Sequence, residues 1–537
     1  MQQEDAFDFV VVGAGSAGCV LANRLTQSGR HRVLLLEAGG EDRNPWIHIP
    51  LGYGKLFTDP KVNWSYTSEE DAASGDRRIA QNRGKVLGGC SSINGLVYIR
   101  GQREDYDHWQ ELGNAGWGFD AVLPYFRKAE DQQRGADEYH GVGGPLSVSD
   151  LSEPHPLCEA YIAAAEQCGY PRNPDFNGAR QEGFGYVQVT LRNGLRSSAA
   201  TGYLRPARRR KNLSVITRAH ATRILFSGKK AIGVEYMHQG RKRSANARCE
   251  VILACGAFNS PQLLQLSGLG PASLLREFGI GMIADMPAVG ANLQDHYNGR
   301  PVYESTEAFT LNDVVGHFGR SAIEALRYLF LRKGILAMGA FYASGFLRTD
   351  PALSRPDIQA SLALFSGDNA GNELHPFSGF SLIVALLRPE SRGTVLIQSA
   401  DPLHAPAIRP NYLTTPNDCA VLLAGFKAVR RIMDTPVMRR YIAREHEPGA
   451  ACATDADLLD YLRRRGRISY HPVGTCRMGN DALAVVDERL RVHGVQGLRV
   501  VDASIMPTLV SGNTNAPAIM IAEKGADLIL QDAIRPG

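Results

Sequence analysis

The beginning of the chain holds a glycine pattern and an acidic residue that together could bind a dinucleotide. Gly13, Gly15 and Gly18 form the pattern G-x-G-x-x-G, and Glu37 follows about twenty residues later, as this motif requires. The first glycine permits a tight turn, the second lets a pyrophosphate approach the backbone, and the third lets a helix pack closely on a strand. Glu37 can accept hydrogen bonds from ribose hydroxyls. The pattern therefore predicts phosphate binding at the N-terminus of a helix.

The elements that must position these residues are also visible in the sequence. Residues 9–12 form an apolar run that predicts a strand, residues 19–27 have a helix-like pattern, and residues 32–37 form a second apolar run. This order is a βαβ unit that begins close to the first residue. NAD and FAD both fit such a unit, so the identity of the dinucleotide stays open at this point.

The rest of the chain contains loop-rich and strand-rich segments. Residues 40–150 are rich in Gly, Pro, Asn and Trp and predict long ordered loops over a ligand. The region from about 300 to 455 contains strand-like runs at 380–387 and 393–397, and we assign it to a second, inserted domain. A helix is predicted from Pro517 onward, and further strands of the nucleotide-binding layer are predicted at 213–217, 221–226, 231–238, 251–254 and 498–501.

Composition narrows the possible functions. The chain has 537 residues, of which 44% are hydrophobic and 21% charged, which is typical of a folded globular protein rather than a disordered or fibrous one. The net charge of +4 favours a small-molecule partner and no nucleic acid. Apolar stretches too short to cross a bilayer, and no secretory signal, predict a cytoplasmic protein without a transmembrane segment. Nine cysteines without a C-x-x-C pair predict reduced thiols, and no spacing predicts a metal site.

Longer motifs follow one another along the whole chain: GKVLGGCSSING at 84–95, GAFNSPQLLQLSGLG at 256–270, VGANLQDH at 289–296, SYHPVG at 469–474, DAS at 502–504 and GNTNAP at 512–517. Together they resemble the glucose–methanol–choline (GMC) oxidoreductase family, and most closely its bacterial choline-dehydrogenase-like and FAD-dependent alcohol dehydrogenases. The resemblance implies FAD and a mixed α/β (α+β) fold. It implies a discontinuous Rossmann-like FAD-binding domain, which we place at 1–155, 212–300 and 456–537, and an inserted antiparallel-sheet substrate-binding domain at 156–211 and 301–455.

The resemblance also implies a catalytic pair. Oxidising an alcohol requires a base for the hydroxyl proton while a hydride leaves the carbon for flavin N5, and an imidazole suits that role. The family's base falls on His471. Its second active-site position, which is His or Asn, falls on Asn515, whose amide would hold the substrate oxygen. His296 is interpreted as a structural hydrogen-bonding residue near the domain junction.

The remaining predicted site residues bind the cofactor. Gly88 and Gly89, with Ser91 and Asn94, offer unhindered backbone amides and small polar groups that suit a pyrophosphate and a nearby flavin ring. Some family members bind flavin covalently through a histidine in this segment; that position is Ile93 here, so we expect non-covalent FAD. The predicted cofactor-binding set is Gly13, Gly15, Ser16, Ala17, Gly18, Glu37, Ala38, Gly88, Gly89, Ser91, Asn94, Gly95, Val97, Ala221, Asp502, Ala503, Asn513 and Thr514.

The family resemblance leaves the reaction partners open. Electrons are expected to pass to a quinone-like, dye-like or other non-NAD acceptor; an oxidase that uses O₂ and makes peroxide, and a redox-neutral hydroxynitrile-lyase-type enzyme, remain alternatives. A choline-like cation would need a carboxylate and aromatic faces in the pocket, an aliphatic alcohol an apolar tunnel, and a polyol a ring of polar groups. We expect the pocket wall to include Phe341, Tyr342, Phe346 and Phe365. The sequence does not fix the oligomeric state.

Overall fold

The computed structural model describes residues 6–368 and 373–534. Within this part of the chain, two large sheets contain seven and eight strands. Their strands, numbered in chain order, are β1 (Ala6–Val12), β2 (Val33–Glu37), β3 (Gly183–Tyr186), β4 (Leu213–Thr217), β5 (Ala219–Ser227), β6 (Lys230–His238), β7 (Arg241–Leu253), β8 (Tyr297–Gly299), β9 (Val302–Ser305), β10 (Ala343–Leu347), β11 (Ile358–Ala363), β12 (Gly379–Leu386), β13 (Ile442–Glu447), β14 (Arg467–Ile468) and β15 (Leu498–Val500).

The longer helices are α1 (Ser16–Thr26), α2 (Arg103–Glu111), α3 (Phe119–Ala129), α4 (Pro156–Gln167), α5 (Gly256–Leu266), α6 (Phe318–Leu331), α7 (Pro416–Met433), α8 (Asp455–Arg465) and α9 (Asn515–Ile534). Shorter helices lie at Pro45–His48, Tyr53–Leu56, Arg205–Ala207, Ala272–Glu277, Leu311–Val315 and Pro436–Arg439. Short strand pairs join Tyr66–Thr67 to Ala80–Gln81, Val97–Tyr98 to Gln188–Val189, Glu130–Gln132 to Leu146–Val148, Leu191–Arg192 to Leu195–Arg196, Leu269–Gly270 to Ala284–Asp285, Gly367–Asp368 to Glu373–Leu374, and Thr394–Leu396 to Ala407–Arg409.

The first sheet is built on the predicted βαβ unit. Its parallel part has the order β4, β2, β1, β7, with β15 beside the end of β7, and β5 and β6 extend it as an antiparallel meander. Every residue of β2 is buried, as expected for a strand covered on both faces. Helix α1 begins at Ser16, three residues before the predicted start, so Gly18 lies inside its first turn. The predicted strands of this layer are confirmed.

The second sheet is antiparallel, in the order β13, β9, β12, β11, β10, β3, and β8 joins it by pairing with β12 and β14. The run predicted at 380–387 is β12 at its centre. The mixed α/β fold class is therefore confirmed. β8 and β14 come from segments that the sequence analysis assigned to the FAD-binding domain, yet they pair in this sheet. The division into domains stays a prediction.

The segment at 40–150 differs in part from the prediction. It contains the helices α2 and α3, whose buried faces include Trp109 and Phe126. A proline at position 124 lies inside α3 and obscured the helical pattern. No helix in the described parts of the chain is long and apolar enough to span a membrane.

Candidate active site

A cavity of about 340 Å³ opens at the carboxyl ends of β1 and β2, and residues of both large sheets line it. In open α/β sheets, this edge is where ligands bind. Of the residues predicted to bind the cofactor or to act in catalysis, all line the cavity except Gly18, Gly88 and Ser91. The folded chain thus brings together segments that are widely separated in sequence.

The first glycine segment is packed tightly on one side and open on the other. A Cβ atom on Gly18 would lie 1.8 Å from the carbonyl oxygen of Gly13, so Gly18 allows α1 to pack against β1 without facing the cavity. A side chain at Gly15 would meet no protein atom closer than Ala254 O, at 3.9 Å, and would fill cavity space instead. Backbone amides at a helix N-terminus beside such a space fit a pyrophosphate.

Glu37 holds this segment in shape. Its two carboxylate oxygens accept hydrogen bonds from the backbone N–H of Ala14, at 2.8 Å, and of Gly39, at 2.7 Å. Burial raises the pKa of Glu37 to about 7, although both backbone hydrogen bonds favour the charged form. Glu37 also lines the cavity, so the same carboxylate can shape the loop and face a ribose.

The second glycine segment lies directly against the first. A Cβ atom on Gly89 would come within 2.7 Å of the Cα atom of Gly15, and the N–H of Gly88 donates to Ala14 O at 2.7 Å. Gly88 has a positive φ of 88°, which favours glycine. A side chain at Gly89 would push the two segments apart. Glycine at this position therefore allows them to pack closely beside the cavity.

Ser91 and Asn94 support this segment in different ways. Ser91 does not face the cavity, contrary to prediction: its Oγ donates to Gly88 O at 2.6 Å and accepts from the N–H of Ala199 at 3.0 Å. Asn94 lines the cavity, and its Oδ1 accepts from Arg196 Nη1 at 2.7 Å. Ser91 therefore stabilises the loop from behind.

Asp502 has both oxygens occupied by the protein. Oδ2 accepts from the N–H of Gly256 at 2.9 Å and from Ser260 Oγ at 2.6 Å, which ties it to the start of α5, while Oδ1 accepts from the N–H of Ser504 at 2.8 Å. Ala503 is held between these contacts on the cavity wall. Asp502 thus joins the end of β15 to the start of α5 and shapes this end of the cavity.

The end of the cavity that contains the predicted catalytic residues is organised by β8 and β14. Tyr297 of β8 pairs with Ile468 of β14, and this pairing brings His296, which precedes β8, close to His471, which follows β14. The Oδ1 atom of Asp295 accepts hydrogen bonds from the backbone N–H of His471, at 2.7 Å, and of His296, at 2.8 Å. Both imidazoles are buried and fixed at the backbone.

The contacts of the two rings determine where the protons lie. His296 Nε2 lies 3.1 Å from Leu387 O, and because a carbonyl only accepts, this nitrogen carries the hydrogen. His296 Nδ1 then accepts from His471 Nδ1 at 2.9 Å, which leaves His471 Nε2 without a proton. Burial lowers the pKa of His296 to about 4. Burial, with His296 and Arg83, lowers the pKa of His471 well below its usual range, so the ring is a neutral base.

Asn513, rather than Asn515, lies beside His471. Asn513 Nδ2 donates to His471 Nε2 at 3.1 Å, and no described group bonds to its buried Oδ1. Asn515 lines the cavity too, but its Oδ1 accepts from Ser16 Oγ at 2.9 Å and joins α9 to α1. The structure thus places Asn513, two positions before the predicted Asn515, next to the imidazole of His471, while an active-site role of Asn515 stays a prediction.

The pocket wall on the side of the second sheet combines two of the expected aromatic residues with unexpected charges. Phe341 and Phe365 line the cavity, whereas Phe346 lies in the core against Phe176, with 5.1 Å between ring centroids, and Tyr342 also lies outside the lining. Three arginines that the sequence analysis did not identify line the cavity: Arg83, Arg300 and Arg467. In the described parts of the chain, no cluster of three or more His, Cys, Asp or Glu residues could hold a metal ion.

Comparisons with known proteins agree with this architecture. Crystal structures of pyridoxine 4-oxidase from Mesorbium loti and of formate oxidase superpose with TM-scores of 0.89 and 0.92, at 32% and 27% identity. Each alignment covers 99% of this chain, and 100% and 99% of the respective structure. The fold of these flavoproteins is thus shared over nearly the whole length.

Sequence relatives cover the same length. The chain is 43% identical to an alcohol dehydrogenase [acceptor] from Pseudomonas putida, over 98% of this chain and 96% of the relative. It is 42% identical to an oxygen-dependent choline dehydrogenase from Vibrio vulnificus, over 99% and 95%. Profiles of the GMC oxidoreductase family match residues 7–298 and 389–522. The chain therefore belongs to the GMC oxidoreductases, FAD-binding enzymes that act on CH–OH donors.

Proposed function

We propose that this enzyme oxidises an alcohol to the carbonyl compound with His471 as the base, and that the electrons pass to a quinone-like or other non-nicotinamide acceptor. The observation that carries the proposal is the unprotonated Nε2 of His471, fixed on the cavity wall by His296 and Asp295. The similarity to an alcohol dehydrogenase [acceptor] supports the reaction type.

The residues around the base divide the work of binding and proton transfer. The substrate hydroxyl donates its proton to His471 Nε2, and its oxygen accepts from Asn513 Nδ2, the amide donor that points at the base in the absence of substrate. When bound, FAD supplies the acceptor for the hydride that leaves the carbinol carbon. Asp295 accepts hydrogen bonds from the backbone N–H groups of both histidines. Its negative charge favours the protonated imidazole that the reaction forms.

FAD is held without a covalent bond in this proposal. Ile93 lines the cavity at the position where some family members attach the flavin, and an isoleucine side chain has no nucleophile. Acid precipitation of the purified enzyme should release all yellow colour into the supernatant. Colour that stays with the precipitated protein would contradict this part of the proposal.

An oxidase is a second candidate for the same chemistry. Pyridoxine 4-oxidase and formate oxidase are both close structural neighbours, and their names describe oxidases. Direct use of O₂ would change only the acceptor that reoxidises the flavin. The base and the amide act earlier, when the alcohol is oxidised.

The test is the visible spectrum of the purified enzyme under anaerobic conditions, before and after addition of choline, a primary aliphatic alcohol, a benzylic alcohol and a polyol. Loss of the oxidised-flavin band with one class would establish alcohol oxidation. Fast recovery of the band in air would favour the oxidase. Slow recovery in air, together with fast recovery when a quinone is added, would favour the dehydrogenase. A band that neither these alcohols nor an anionic alcohol such as 6-hydroxyhexanoate changes would contradict the proposal.

The matched variant is His471→Gln. We expect it to bind FAD and keep its thermal midpoint, while flavin reduction slows by a factor of about 100 to 10,000, the usual contribution of a general base. A variant that reduces its flavin at the parent rate would remove His471 from the mechanism.

A further inference from the structure

Two arginines lie side by side on the substrate side of the cavity. Arg467 begins β14 and pairs with Asn298 of β8, and Arg300 follows β8 directly, so the sheet register places the two arginines together. Arg300 is 7% exposed, and its Nε and Nη2 donate to Ser381 Oγ at 3.1 and 3.0 Å. Arg467 Nη1 is buried and has no hydrogen-bond partner among the described residues.

The charges of these arginines are poorly compensated. Within the described chain, no carboxylate forms an ion pair with Arg300, and the nearest one to Arg467 is Asp368, at 4.0 Å, which also pairs with Arg465 at 3.1 Å. Burial, followed by repulsion from Arg467, lowers the pKa of Arg300 to about 10. A buried cation without a partner is costly unless a ligand neutralises it.

The other end of the cavity offers no counter-charge. Glu37 and Asp502 are the acidic residues of the described cavity lining, and backbone N–H groups or a serine hydroxyl occupy their oxygens. Both residues lie with the glycine segments, on the side of the first sheet. The substrate side is therefore positively charged, which disfavours a quaternary ammonium ion such as choline.

We propose that the preferred substrate is an alcohol with an anionic oxygen group, a carboxylate or a phosphate monoester, which Arg300 and Arg467 bind while the hydroxyl faces His471. The guanidinium groups have the donor geometry that such anions match. Arg467 and His471 lie four positions apart on one segment, which is at most about 13 Å of extended chain. A substrate with several carbon atoms between its two functional groups spans such a distance. This inference rests on the proposed function.

The experiment compares substrates of equal length and different charge. Steady-state kcat/KM is measured for 6-hydroxyhexanoate, 6-hydroxyhexyl phosphate, 1-hexanol and choline, with the parent enzyme and with Arg300→Gln and Arg467→Gln. We expect an anionic substrate to exceed 1-hexanol in the parent, and each variant to lower that ratio about 10- to 100-fold, mainly through KM. The preferred anion identifies the group. Arg30→Gln, a change at an exposed arginine, should leave the ratio unchanged.

A binding measurement separates this inference from the proposed function. Hexanoate and hexyl phosphate, which lack the hydroxyl, should perturb the flavin spectrum of the parent at concentrations where 1-hexanol does not, and the perturbation should weaken in Arg300→Gln. Equal binding of hexanoate and 1-hexanol, or a parent that prefers choline or 1-hexanol as substrate, would overturn the inference. Anion binding without flavin reduction by any alcohol would retain the arginine site and contradict the proposed function instead.

Helix α6 carries a second, independent inference, because it turns its apolar side to solvent. Phe318 is 92% exposed, Phe330 76% and Leu329 59%. On an ideal helix these side chains share one broad face with Ile323 and Leu326, which are also exposed. Apolar faces of surface helices normally point to the core, so this inverted arrangement indicates an interaction site.

Polar contacts hold the opposite side of α6 to the protein. Arg327 Nη2 donates to both carboxylate oxygens of Glu153, at 2.7 and 2.8 Å, and Tyr328 OH donates to Gly194 O at 2.9 Å. Glu324 accepts from the N–H of Ile335 at 2.9 Å. These bonds fix the orientation in which the apolar face points outward.

The charges around the apolar face point to an anionic membrane surface as the partner. Arg320, Arg332 and Lys333 are exposed, whereas the acidic residues of the segment 311–334, Asp313 and Glu324, are bonded within the protein. We infer that α6 lies on a bilayer that contains anionic lipids. A second copy of the chain fits less well, since a two-fold axis would bring like charges together.

The position of α6 gives this contact a function. The chain runs from α6 through the turn Ile335–Ala337 to Ala340 and Phe341, which line the cavity. A bilayer at α6 would thus adjoin the cavity wall, and a lipid-soluble quinone could accept electrons there. The inferred membrane contact does not depend on the proposed function. Electron transfer to a quinone in the bilayer does depend on the proposed function.

The test is co-sedimentation of the FAD-loaded enzyme with vesicles of phosphatidylcholine, with and without phosphatidylglycerol. We expect binding to the anionic vesicles only, and an affinity about 100-fold lower for the triple variant Phe318→Ser, Leu329→Ser, Phe330→Ser. The double variant Leu112→Ser, Leu483→Ser, at exposed leucines elsewhere, should bind like the parent. No vesicle binding by the parent, or a parent dimer that the triple variant converts to a monomer, would overturn the inference.

Discussion

His471 depends on His296 for its proton distribution. His296 accepts the Nδ1 hydrogen of His471 and so leaves Nε2 free. We therefore expect His296→Leu to lower kcat about 10- to 100-fold by removing this acceptor from a buried hydrogen bond, while FAD stays bound. Burial and, after it, His296 lower the pKa of His471. Removal of His296 should therefore raise the pKa of His471 and shift the acid limb of the pH profile of kcat/KM to higher pH.

A conservative variant separates positioning from packing. His296→Gln retains an acceptor that can face His471 Nδ1, so it should recover much of the activity that His296→Leu loses. If the two variants were equally slow and shared the parent's pH profile, His296 would only fill space.

The two asparagines of the last turn should respond differently to substitution. Asn513→Ala removes the amide beside the base, and we expect flavin reduction about 100-fold slower with FAD retained. Asn515→Ala removes the bond to Ser16 and should cost about 1 kcal/mol of stability with a smaller effect on the reduction rate. Stopped-flow flavin reduction and thermal midpoints measure both effects. The reverse pattern would restore Asn515 as the active-site amide.

The sequence predicted which residue types occur at this site, but it could not predict which of their side chains point into the cavity. The motif SYHPVG led to His471, whereas GNTNAP contains two asparagines two positions apart in an irregular turn, where no periodicity indicates which one faces the cavity. The neighbour of the base, His296, lies in a motif that was noted, yet only the pairing of β8 with β14 brings it near.

At the scale of elements, the first βα turn depends on Glu37. Its carboxylate accepts from Ala14 and Gly39, and a glutamine at this position offers only one acceptor oxygen. We expect Glu37→Gln to weaken FAD binding about tenfold and to lower stability by about 1–2 kcal/mol. Fluorescence titration of the apoenzyme with FAD checks the first effect, and thermal unfolding checks the second.

Glu41 provides the control for this element. It lies four residues further on, pairs with Arg208 at 2.6 Å, and does not line the cavity. Glu41→Gln should therefore bind FAD like the parent, because an ion pair near the surface contributes little. If Glu37→Gln bound FAD as tightly as Glu41→Gln, the proposed role of Glu37 would be wrong.

The elements that sequence predicted well are those with a clear period. Buried parallel strands such as β2 are continuous apolar runs, and the glycines mark where α1 begins. Strands as short as β8 and β14 have no period to detect, and they pair across more than 150 residues. Their partners, and with them the position of the two arginines, follow only from the folded chain.

At the scale of the whole molecule, the long segment at 40–150 must be anchored so that the second glycine segment keeps its place. A buried cluster provides the anchor: Arg100 pairs with Glu130 at 2.7 Å, and His140 contacts Glu130 at 3.1 Å and Asp175 at 2.8 Å. The cluster thereby ties three segments of the fold together. Composition predicted ordered loops here, but not the ionic contacts that order them.

This anchor makes a prediction for the pH dependence of stability. Burial disfavours the charged ring, but the hydrogen bonds to Asp175 and Glu130 raise the pKa of His140 to about 9. The folded state therefore binds a proton that the unfolded chain releases near its ordinary pKa of about 6.5. The contribution is complete below that pH and is lost as the pH rises through about 9. We expect the thermal midpoint of the parent to fall between pH 6 and pH 10, by an amount equivalent to about 3 kcal/mol.

The variant His140→Gln tests the source of this pH dependence. It keeps a polar side chain between Glu130 and Asp175 but cannot take up the proton, so its thermal midpoint should be lower than the parent's at pH 6 and should change less towards pH 10. His108→Gln changes an exposed histidine whose ring contacts Glu111 at the surface, and its stability should follow the parent at every pH. If His140→Gln lost stability between pH 6 and pH 10 as steeply as the parent, the proton would be bound elsewhere. Because none of the residues of the anchor lines the cavity, flavin reduction at pH 7 should remain close to the parent rate in this variant.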